Sequence, residues 1–578
     1  MPAAAARVAM AEETGRRTIQ DSLDVFVGLI DPIDQRLYQV VSVFAAPFGV
    51  ATVQSLCVRA GLGDPERIVA ALPNLARSGL VESRPNSGTF RMPLVPRAHA
   101  RGMARARGLW SRLERAHVEA LIEELESGAV GHESPLYGDW LVRVRHLEDE
   151  ALAQLDAASR MGDGHLVRLA APVVQALAAR GQGLAVFNWC ELAIQASVRL
   201  ADKRAELALR TFASIMLLAA QRTDEALVHA RAAEQLDREE VDPELSALAA
   251  ATLAQAINAA GAIEEAVAVL RNWIQAHPRP DQRGFWTIVA AMGRLRKSGV
   301  VPALESLGTT LPPLGVLRAR FAGSLLWRHL LVALATLNPD PAARLQLADE
   351  MVTAGRRMDS VPAVLGGLFF RVQARLALGL HDDAVRDVTE WYRLARDSGD
   401  NIWSSAACTM MVDMAWRHGD LDRAEQWLDE ARLNSRPHEL GDQPSFLLLH
   451  ETILAVLRGD RARAARAFAE AIGHRVEELR LGILEGAIEA GALLARLLGL
   501  EDLARSLAAH LAVLSPTPFV PLAVTRFRAL HLAPGSAVSP ATSVPNHGAD
   551  SSLPTTALDP DAVSAQARAD IERLLKAL

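Results

Sequence analysis

The chain has 578 residues, of which 50% are hydrophobic, 22% are charged and 5% are aromatic. That length suggests about three or four domain-sized masses, unless a repeat merges them into one body. The formal net charge of −7 argues against a dedicated nucleic-acid coat, although a local basic patch is compatible with it. The three cysteines are widely spaced and odd in number, which excludes a disulfide framework or a zinc ribbon and is typical of a reducing cytoplasm.

The N-terminus shows no targeting signal. Residues 1–16 are predicted to be disordered, and they lack the apolar core of a signal peptide. The longest uncharged stretch, 37–58, is long enough to span a bilayer, but Pro47 and Gly49 interrupt it. Two buried helices are the better interpretation, and we expect a cytoplasmic protein without a membrane partner.

Residues 17–107 have the element order of a winged helix. The predicted elements are helices from Asp31, at 51–60 and at 64–79, strands at 80–81 and 89–92, and a helix from about Pro96. Proline in the first turn and glycine at the end support the helix boundaries, and the sequence PNSG between the strands favours a β-hairpin.

Several short sequences in this region resemble a known family. They are RTIQDSL (17–23), LIDP (29–32), SVF (42–44) with Phe48, LARSGLV (75–81), and WL (140–141) followed by EDEAL (148–152). They are similar to the winged helix of STAND signal-transduction NTPases, including bacterial regulators of the antibiotic-regulatory and maltose-activator type, and to its junction with helical repeats. The resemblance covers the chain to about residue 200 and the rest more loosely. It implies a winged helix that serves as an internal regulatory joint.

A repeat of 40 residues follows a helical connector at 108–162. Each copy has a glycine or polar residue, then a small residue five positions later, then apolar residues four and seven positions further on. The small residues are Val186, Ala226, Ala266, Ala384, Ala424, Ala464 and Ala504, and a degenerate copy has Ala343. This spacing predicts helical hairpins that bury one face only by stacking.

The predicted fold is therefore mainly α: a small winged-helix-like domain followed by a long TPR-like α-solenoid of about 40-residue hairpins at 163–532. Residues 533–561 are rich in Pro, Ser, Thr and Gly, which predicts a disordered linker. A short amphipathic helix at 562–578 ends the chain.

Catalytic motifs are absent from the sequence. None of the lysines, Lys203, Lys297 and Lys576, follows a glycine, so no phosphate-binding loop is present. No His-Glu-x-x-His or Gly-x-Ser-x-Gly sequence occurs. We therefore predict no catalytic residue, cofactor or metal site, and a separately encoded NTPase is a possible partner in trans.

A basic surface is the first candidate site. Its six arginines, without an intervening acid, are Arg84, Arg91, Arg97, Arg101, Arg105 and Arg107. Arg97, Arg101 and Arg105 share one helical face by their spacing. The surface could hold DNA phosphates or a partner. The alternatives are a solvated face and a dock for the acidic repeats.

A groove on the first helices of the repeats is the second candidate site. The candidate ligand contacts are Trp327, Arg371, Gln373, Arg375, Trp403, Asp413 and Trp416. They could line a peptide or small-molecule groove, and the alternative is a polar, solvated inner wall. Other tryptophans at repeat positions, such as Trp273 and Trp391, are expected in the core.

The leading hypothesis is a non-enzymatic regulatory or scaffold protein whose repeats bind a protein partner or a small effector, like the sensing half of a STAND regulator. The alternative hypothesis is a DNA-binding transcriptional regulator that uses the winged helix and the basic surface.

Overall fold

The computed structural model describes residues 19–62, 64–84, 88–220, 222–237, 242–277, 284–295, 310, 312–337, 340–434, 443–473, 481–513 and 560–578. The predicted disordered N-terminus at 1–16 lies outside these residues, as does the predicted linker at 533–561 except for its last two positions, which begin a helix. The chain divides into two compact units, one of Met1–Ile288 with Arg320–Leu325 and one of Val289–Ala319 with Leu326–Leu578.

The N-terminal module, residues 19–107, opens the first unit. Residues 19–29 are helical. The elements that follow are α1 (Pro32–Val41), α2 (Val50–Arg59), α3 (Pro65–Val69), α4 (Leu72–Arg77), β1 (Glu82–Arg84), β2 (Thr89–Arg91) and α5 (Leu94–Ala106). Helices, hairpin and exit helix come in the predicted order, while the identification as a winged helix stays a prediction.

One predicted helix of this module is wrong in detail. Residues 64–79 form two short helices, α3 and α4, instead of one. The break precedes Pro73, which lies in the first turn of α4. A proline has no N–H to donate and its ring collides with the carbonyl four residues earlier, which favours a break at this point.

The hairpin packs onto the module through aromatic rings. β1 and β2 are antiparallel and pair Ser83 with Phe90. Phe90 also exchanges two backbone hydrogen bonds of 2.8 Å with Phe48. Phe48 stacks on Phe44 at 4.7 Å between ring centroids. The core of the module therefore joins the hairpin to the segment that follows α1.

The remaining helices of the first unit begin with a connector and continue as hairpins. They are α6 (Trp110–Glu126), α7 (Tyr137–Met161), α8 (Asp163–Arg180), α9 (Phe187–Leu200), α10 (Lys203–Ala219), α11 (Thr223–Asp237), α12 (Pro243–Ala259) and α13 (Ile263–Ala276). A 3₁₀ turn, Gly183–Val186, precedes α9, so Val186 lies outside the helix that the repeat pattern assigned to it. The unit boundary passes through α14 (Phe285–Leu295), α15 (Leu314–Phe321) and α16 (Leu325–Leu337).

The second unit has the same construction. Its helices after α16 are α17 (Pro341–Arg357), α18 (Val361–Ala377), α19 (His381–Asp397), α20 (Asn401–Arg417), α21 (Leu421–Asn434), α22 (Gln443–Leu457), α23 (Arg461–Ile472), α24 (Leu481–Leu497), α25 (Glu501–Val513) and α26 (Pro560–Ala577). Each even-numbered helix from α18 to α24 packs on the helix that follows it.

The repeat positions explain this packing. The turn glycines, such as Gly261 and Gly419, have φ values of +93° and +82°, which a glycine adopts without strain. The small residues Ala226, Ala266, Ala384, Ala424 and Ala464 are all fully buried. A small buried residue lets two helices approach closely, and the apolar residues after it fill the contact. The predicted mainly α fold of helical hairpins is confirmed.

Two further findings limit the kinds of site in the described part of the chain. None of its helices combines the length and the apolar character that crossing a bilayer requires. No group of three or more His, Cys, Asp or Glu side chains there is arranged to hold a metal ion.

Candidate functional site

The basic surface is divided by the way α5 packs. Arg97 Nη1 donates to the carbonyl oxygen of Ala45 at 2.9 Å, and Arg101 Nε donates to that of Ser42 at 2.9 Å. These carbonyls follow the C-terminal end of α1, where a positive charge is stabilising. Arg97 and Arg101 therefore point into the molecule and hold its own backbone.

The other four arginines of the basic surface are exposed. Arg84 and Arg91 lie on the two strands, and Arg105 and Arg107 lie at the end of α5. The guanidinium carbons of Arg101 and Arg105 lie 5.2 and 5.3 Å from the Trp110 ring centroid. The six arginines thus do not form one outward face, and any contact with phosphates falls to Arg84, Arg91, Arg105 and Arg107.

The backbone that Arg97 and Arg101 hold is also held from α7. We call residues 42–46 the 42–46 turn. Glu150 Oε2 accepts hydrogen bonds from the backbone N–H groups of Ala45 and Ala46 at 2.7 and 2.6 Å. Gln154 Nε2 donates to the Val43 carbonyl at 3.2 Å. Side chains of α5 and α7 therefore bind this turn through both its carbonyls and its amides.

Glu150 is the centre of that contact. Its Oε1 atom accepts from His117 Nε2 at 2.8 Å and from Gln154 Nε2 at 3.0 Å. Burial raises the pKa of the Glu150 carboxyl, but the hydrogen bond and Coulombic attraction from His117, with the hydrogen bonds from Ala46 and Gln154, outweigh it, so this pKa lies below its ordinary value. Glu150 is therefore an ionised, buried group that ties α6 and α7 to the N-terminal module.

Sequence reasoning singled out Glu150 only as part of EDEAL, and it missed His117 and Gln154. A signal was available, because Glu150 and Gln154 are one helical turn apart beside the buried Ala151 and Leu155. Two polar residues on a buried helix face need hydrogen-bond partners. The identity of those partners was not readable from the sequence.

A second polar contact lies at the start of α7. His132 Nδ1 lies 3.2 Å from Glu244 Oε1, and Glu244 Oε1 accepts the backbone N–H of Glu133 at 2.8 Å. Glu133 Oε1 accepts from the Thr287 hydroxyl at 2.7 Å. The segment between α6 and α7 is therefore held against α12 and α14.

The predicted groove residues Arg371 and Arg375 are engaged by carboxylates of adjacent helices, and Arg371 Nη1 also donates to Asp349 Oδ1 of α17 at 3.3 Å. Arg371 Nη2 and Arg375 Nη1 lie 2.6 Å from the two carboxylate oxygens of Asp387. Asp387 is buried in α19, and both arginines belong to α18. The pair thus fastens α18 to α19 around a single buried carboxylate.

The aromatic and polar groove residues are largely covered. Trp327 is 2% exposed, and its Nε1 donates to Glu350 Oε1 at 2.9 Å. Gln373 and Asp413 are also 2% exposed. These three side chains are therefore buried in the folded chain, and a role for them as ligand contacts stays a prediction.

Trp403 and Trp416 are partly buried. Trp403 packs in an aromatic cluster, 5.6 Å from Trp391 and 6.0 Å from Phe369 between ring centroids. Trp416 packs against the core formed by α22 and the helices around it. A ligand role for these two tryptophans stays a prediction.

A cavity of about 580 Å³ lies between α11, α12 and α13. Its polar lining residues are Glu234, Asp237, Asp242, Ser246, Asn272 and His277, and Trp273 forms part of the wall. Trp273 Nε1 donates to Ser246 Oγ at 2.8 Å, and Ser246 Oγ donates to Asp237 Oδ2 at 2.6 Å. The rings of Trp273 and His277 stack at 4.1 Å. Sequence reasoning placed Trp273 in the core and did not find this cavity.

The cysteines are not reactive groups. Cys57, Cys190 and Cys408 are all buried. Burial raises the pKa of Cys57 to about 11 and that of Cys408 to about 12, and it raises the pKa of Cys190 as well. All three are therefore neutral thiols near pH 7, which is typical of packing residues.

Comparison with known proteins gives likenesses in structure but none in sequence. No protein-family model matches the chain, and no curated protein matches it. It is similar to a solved Signal Transduction ATPase with Numerous Domains (STAND) protein with a tetratricopeptide repeat sensor, from Pyrococcus horikoshii. The identity is 11% and the TM-score is 0.35, over 83% of this chain and 62% of that one. The chain thus spans less than two thirds of that structure, and a likeness this distant carries no functional argument.

Proposed function

We propose that this chain is a non-enzymatic regulatory or scaffold protein whose helical repeats bind a protein partner or a small effector. The observation that carries the proposal is the contrast between the basic surface and the repeats. Two central arginines of the basic surface are bound to the chain's own backbone, whereas the repeats hold an acid-lined cavity. Stacked helical hairpins commonly provide such binding surfaces.

The N-terminal module serves in this proposal as an internal joint. Support comes from the Glu150 carboxylate, which accepts four hydrogen bonds. Two come from backbone amides of the 42–46 turn, one from His117 and one from Gln154. In this proposal a displacement of α7 is transmitted to the module through this buried contact. Separating α7 from the 42–46 turn would leave buried polar groups without hydrogen-bond partners, which is unfavourable. The resemblance of residues 17–200 to STAND regulators supports the same role, in the cytoplasm and with an NTPase among the partner classes.

Hydrogen–deuterium exchange of the full chain in complex with its co-purified partner tests the proposal. We expect the partner to slow exchange in repeat helices between α8 and α25. Protection confined to the N-terminal module, with no change in any repeat helix, would overturn it.

DNA binding is the second candidate, and the four exposed arginines of the basic surface favour it. The matching test is a gel shift of the full chain with duplex DNA at several salt concentrations. DNA binding requires a steep loss of affinity with salt and a further loss when Arg84 and Arg91 are both replaced by glutamine. Indifference to DNA at low salt removes this candidate.

A further inference from the structure

We propose that the end of the repeat stack is a docking site for an amphipathic helix of a protein partner, and that α26 occupies this site in cis. The site is the side of α24 and α25 that α26 covers, which includes Gly491, Ser506 and His510; we call it the end groove. The inference rests on the proposed function and names the surface and the chemistry of the partner. It is carried by the place of α26 in the stack, by its separation along the chain and by a buried carboxylate.

The place of α26 in the stack is the first feature. α22 packs against α20 and α21, and α24 packs in turn against α22 and α23. In the same way, α26 packs against α24 and α25. It therefore lies where the first helix of one further hairpin would lie, on the kind of surface that each hairpin of a stack presents to the next helix.

The separation of α26 along the chain is the second feature. Residues 514–559 lie between α25 and α26, whereas only residues 473–480 lie between α23 and α24. A further step of the repeat beyond Ala504 falls outside α26, so α26 is not another copy of the repeat. A helix joined to its site through a long connection acts as a tethered ligand, at an effective concentration of about 1 mM or below. A partner's helix can therefore compete with it.

The apolar face of α26 defines part of what the end groove accepts. Val563, Ala567, Ile571 and Leu574 recur at helical spacing and are buried against α24 and α25. Leu574 fills a recess at Gly491, where an added Cβ atom would lie 3.3 Å from Leu574 Cδ2. The opposite face of α26 is exposed. The end groove thus holds α26 by one face, which is how grooves bind the amphipathic helices of partners.

The buried carboxylate is the third feature. Asp570 of α26 is fully buried, and its Oδ2 atom accepts hydrogen bonds from Ser506 Oγ and, at 3.1 Å, from His510 Nε2, both on α25. Arg573 of α26 pairs with the other oxygen. Burial raises the pKa of the Asp570 carboxyl, but these hydrogen bonds outweigh it, so this pKa lies below its ordinary value.

Ser506 and His510 therefore select the kind of helix. A purely apolar helix would leave both donors covered and without their acceptor, which is unfavourable. The expected partner is an amphipathic helix whose apolar residues are spaced like those of α26, with an acid directly before the third.

Fluorescence anisotropy with a labelled peptide of residues 560–578 tests whether the end groove accepts a helix in trans. Two full-length chains are compared: the wild type, and a double variant, Ile571→Asp with Leu574→Asp, whose own α26 cannot dock. We expect the double variant to bind the peptide at least about tenfold more tightly, because no tethered helix competes. Equal affinity of the two chains, or no binding to the folded double variant, would overturn the proposal.

The expected affinity sets the range of the titration. A helix that is docked for about 99% of the time at an effective concentration of about 1 mM has a Kd of about 10 μM. Chain concentrations up to about 100 μM therefore detect the binding of the peptide.

Peptide variants test the recognition of the acid. Asp570→Asn in the peptide keeps its shape and removes the charge, so we expect at least about fivefold weaker binding to the double variant. Lys576→Ala in the peptide changes an exposed position and should have no effect. Adding Ser506→Ala and His510→Ala to the chain should abolish the effect of Asp570→Asn. A preference for the acid that survives the loss of both donors contradicts the assignment.

A designed helix represents the partner. It shares with α26 only Val563, Ala567, Ile571, Leu574 and Asp570, and its other positions are unrelated to this chain. We expect it to bind the double variant within about tenfold of the peptide of residues 560–578. Binding of the natural peptide without binding of the designed helix would restrict the end groove to α26 and overturn the partner assignment.

Hydrogen–deuterium exchange of the wild-type chain decides if the double variant fails to fold. We expect the amides of α26 to exchange in a step of their own, faster than the interiors of α24 and α25, because α26 leaves the end groove without unfolding them. Exchange of α26 only together with α24 and α25 would make it an integral part of the stack and would overturn the proposal.

The two proposals fail in different ways. If no helix binds the end groove but a partner slows exchange in other repeat helices, the end-groove assignment falls and the proposed function stands. If no partner slows exchange in any repeat helix, the proposed function falls, and the partner assignment of the end groove falls with it.

Discussion

At the scale of single residues, the Glu150 side chain connects the N-terminal module to α6 and α7. Glu150→Gln keeps the shape but turns one acceptor oxygen into a donor, so the amide must leave either the Ala45 and Ala46 N–H groups or the His117 and Gln154 side chains without their acceptor. We expect a loss of about 1–3 kcal/mol in the free energy of unfolding. Urea denaturation measures it, and Glu124→Gln, an exposed glutamate on α6, is the control. Equal stability of the two variants would contradict the assigned role.

The same carboxyl predicts a dependence on pH. The pKa of Glu150 is lower in the folded chain than its ordinary value near 4.5. Its contribution to stability is therefore complete above that ordinary value and is lost as the pH falls through the lower, folded pKa. The stability difference between wild type and Glu150→Gln should shrink as the pH falls below 4. A difference that does not shrink at low pH would contradict the hydrogen-bonding assignment.

At the scale of elements, α17 and α18 approach each other through glycines. A Cβ atom added at Gly367 would lie 2.7 Å from Val352 Cγ2 and 2.9 Å from the Val352 backbone nitrogen. One at Gly366 would meet only Met351 Cε, at 3.6 Å. Alanine normally favours a helix over glycine by about 1 kcal/mol.

We therefore expect the two neighbouring substitutions to have opposite signs. Gly366→Ala should be neutral or stabilising, because the helix gains propensity without a collision. Gly367→Ala should lower the free energy of unfolding by about 1–3 kcal/mol, because the helices must separate. Denaturant unfolding of both variants measures the contrast, and a Gly367→Ala chain as stable as Gly366→Ala would contradict the close packing.

The final helix, α26, is a structural part of the second unit. It buries Val563, Ala567, Ile571 and Leu574 in the core that α24 and α25 form. Its Asp570 accepts hydrogen bonds from Ser506 and from His510, the latter at 3.1 Å. The helix therefore covers an apolar face that the last hairpin of the repeats would otherwise expose.

This placement gives a prediction for the end of the chain. Ile571→Ala removes a fully buried side chain and should cost about 2–4 kcal/mol of stability. Lys576→Ala, on an exposed position of the same helix, should cost almost nothing. Thermal unfolding of both variants measures this, and an Ile571→Ala transition at the wild-type temperature would show that α26 does not pack on the repeats.

At the scale of the whole molecule, the sequence predicted the elements better than the directions in which side chains point. Ala266 and Ala384 were identified as buried from spacing alone, because a repeat turns weak local signals into a regular one. The common face of Arg97, Arg101 and Arg105 was also readable, but spacing does not say whether a face points outward. Arg97 and Arg101 point inward because carbonyls 42–45 lie within reach, which only the tertiary structure shows.

The candidate ligand sites also show that the sequence predicts helices better than it predicts the surroundings of their side chains. Trp327 was placed on a repeat helix, but its burial depends on neighbouring helices that are distant in sequence. The cavity beside Asp237 is formed by α11, α12 and α13, and its residues share no motif. Hydrophobic periodicity predicts which helices form, whereas a cavity between helices depends on their packing angles and side-chain volumes.

The central claim is that helical hairpins repeat at intervals of 40 residues, with the 42–46 turn held by Glu150. Hydrogen–deuterium exchange of the full chain, read peptide by peptide, tests it most directly. We expect slow exchange through the interiors of α19, α21, α23 and α25, interrupted by faster exchange in the first turn of each, where the leading amides have no intrahelical acceptor, together with slow exchange at Ala45 and Ala46. Slow exchange that continues without interruption from one helix into the next, or fast exchange at the 42–46 turn in wild type, would contradict the account.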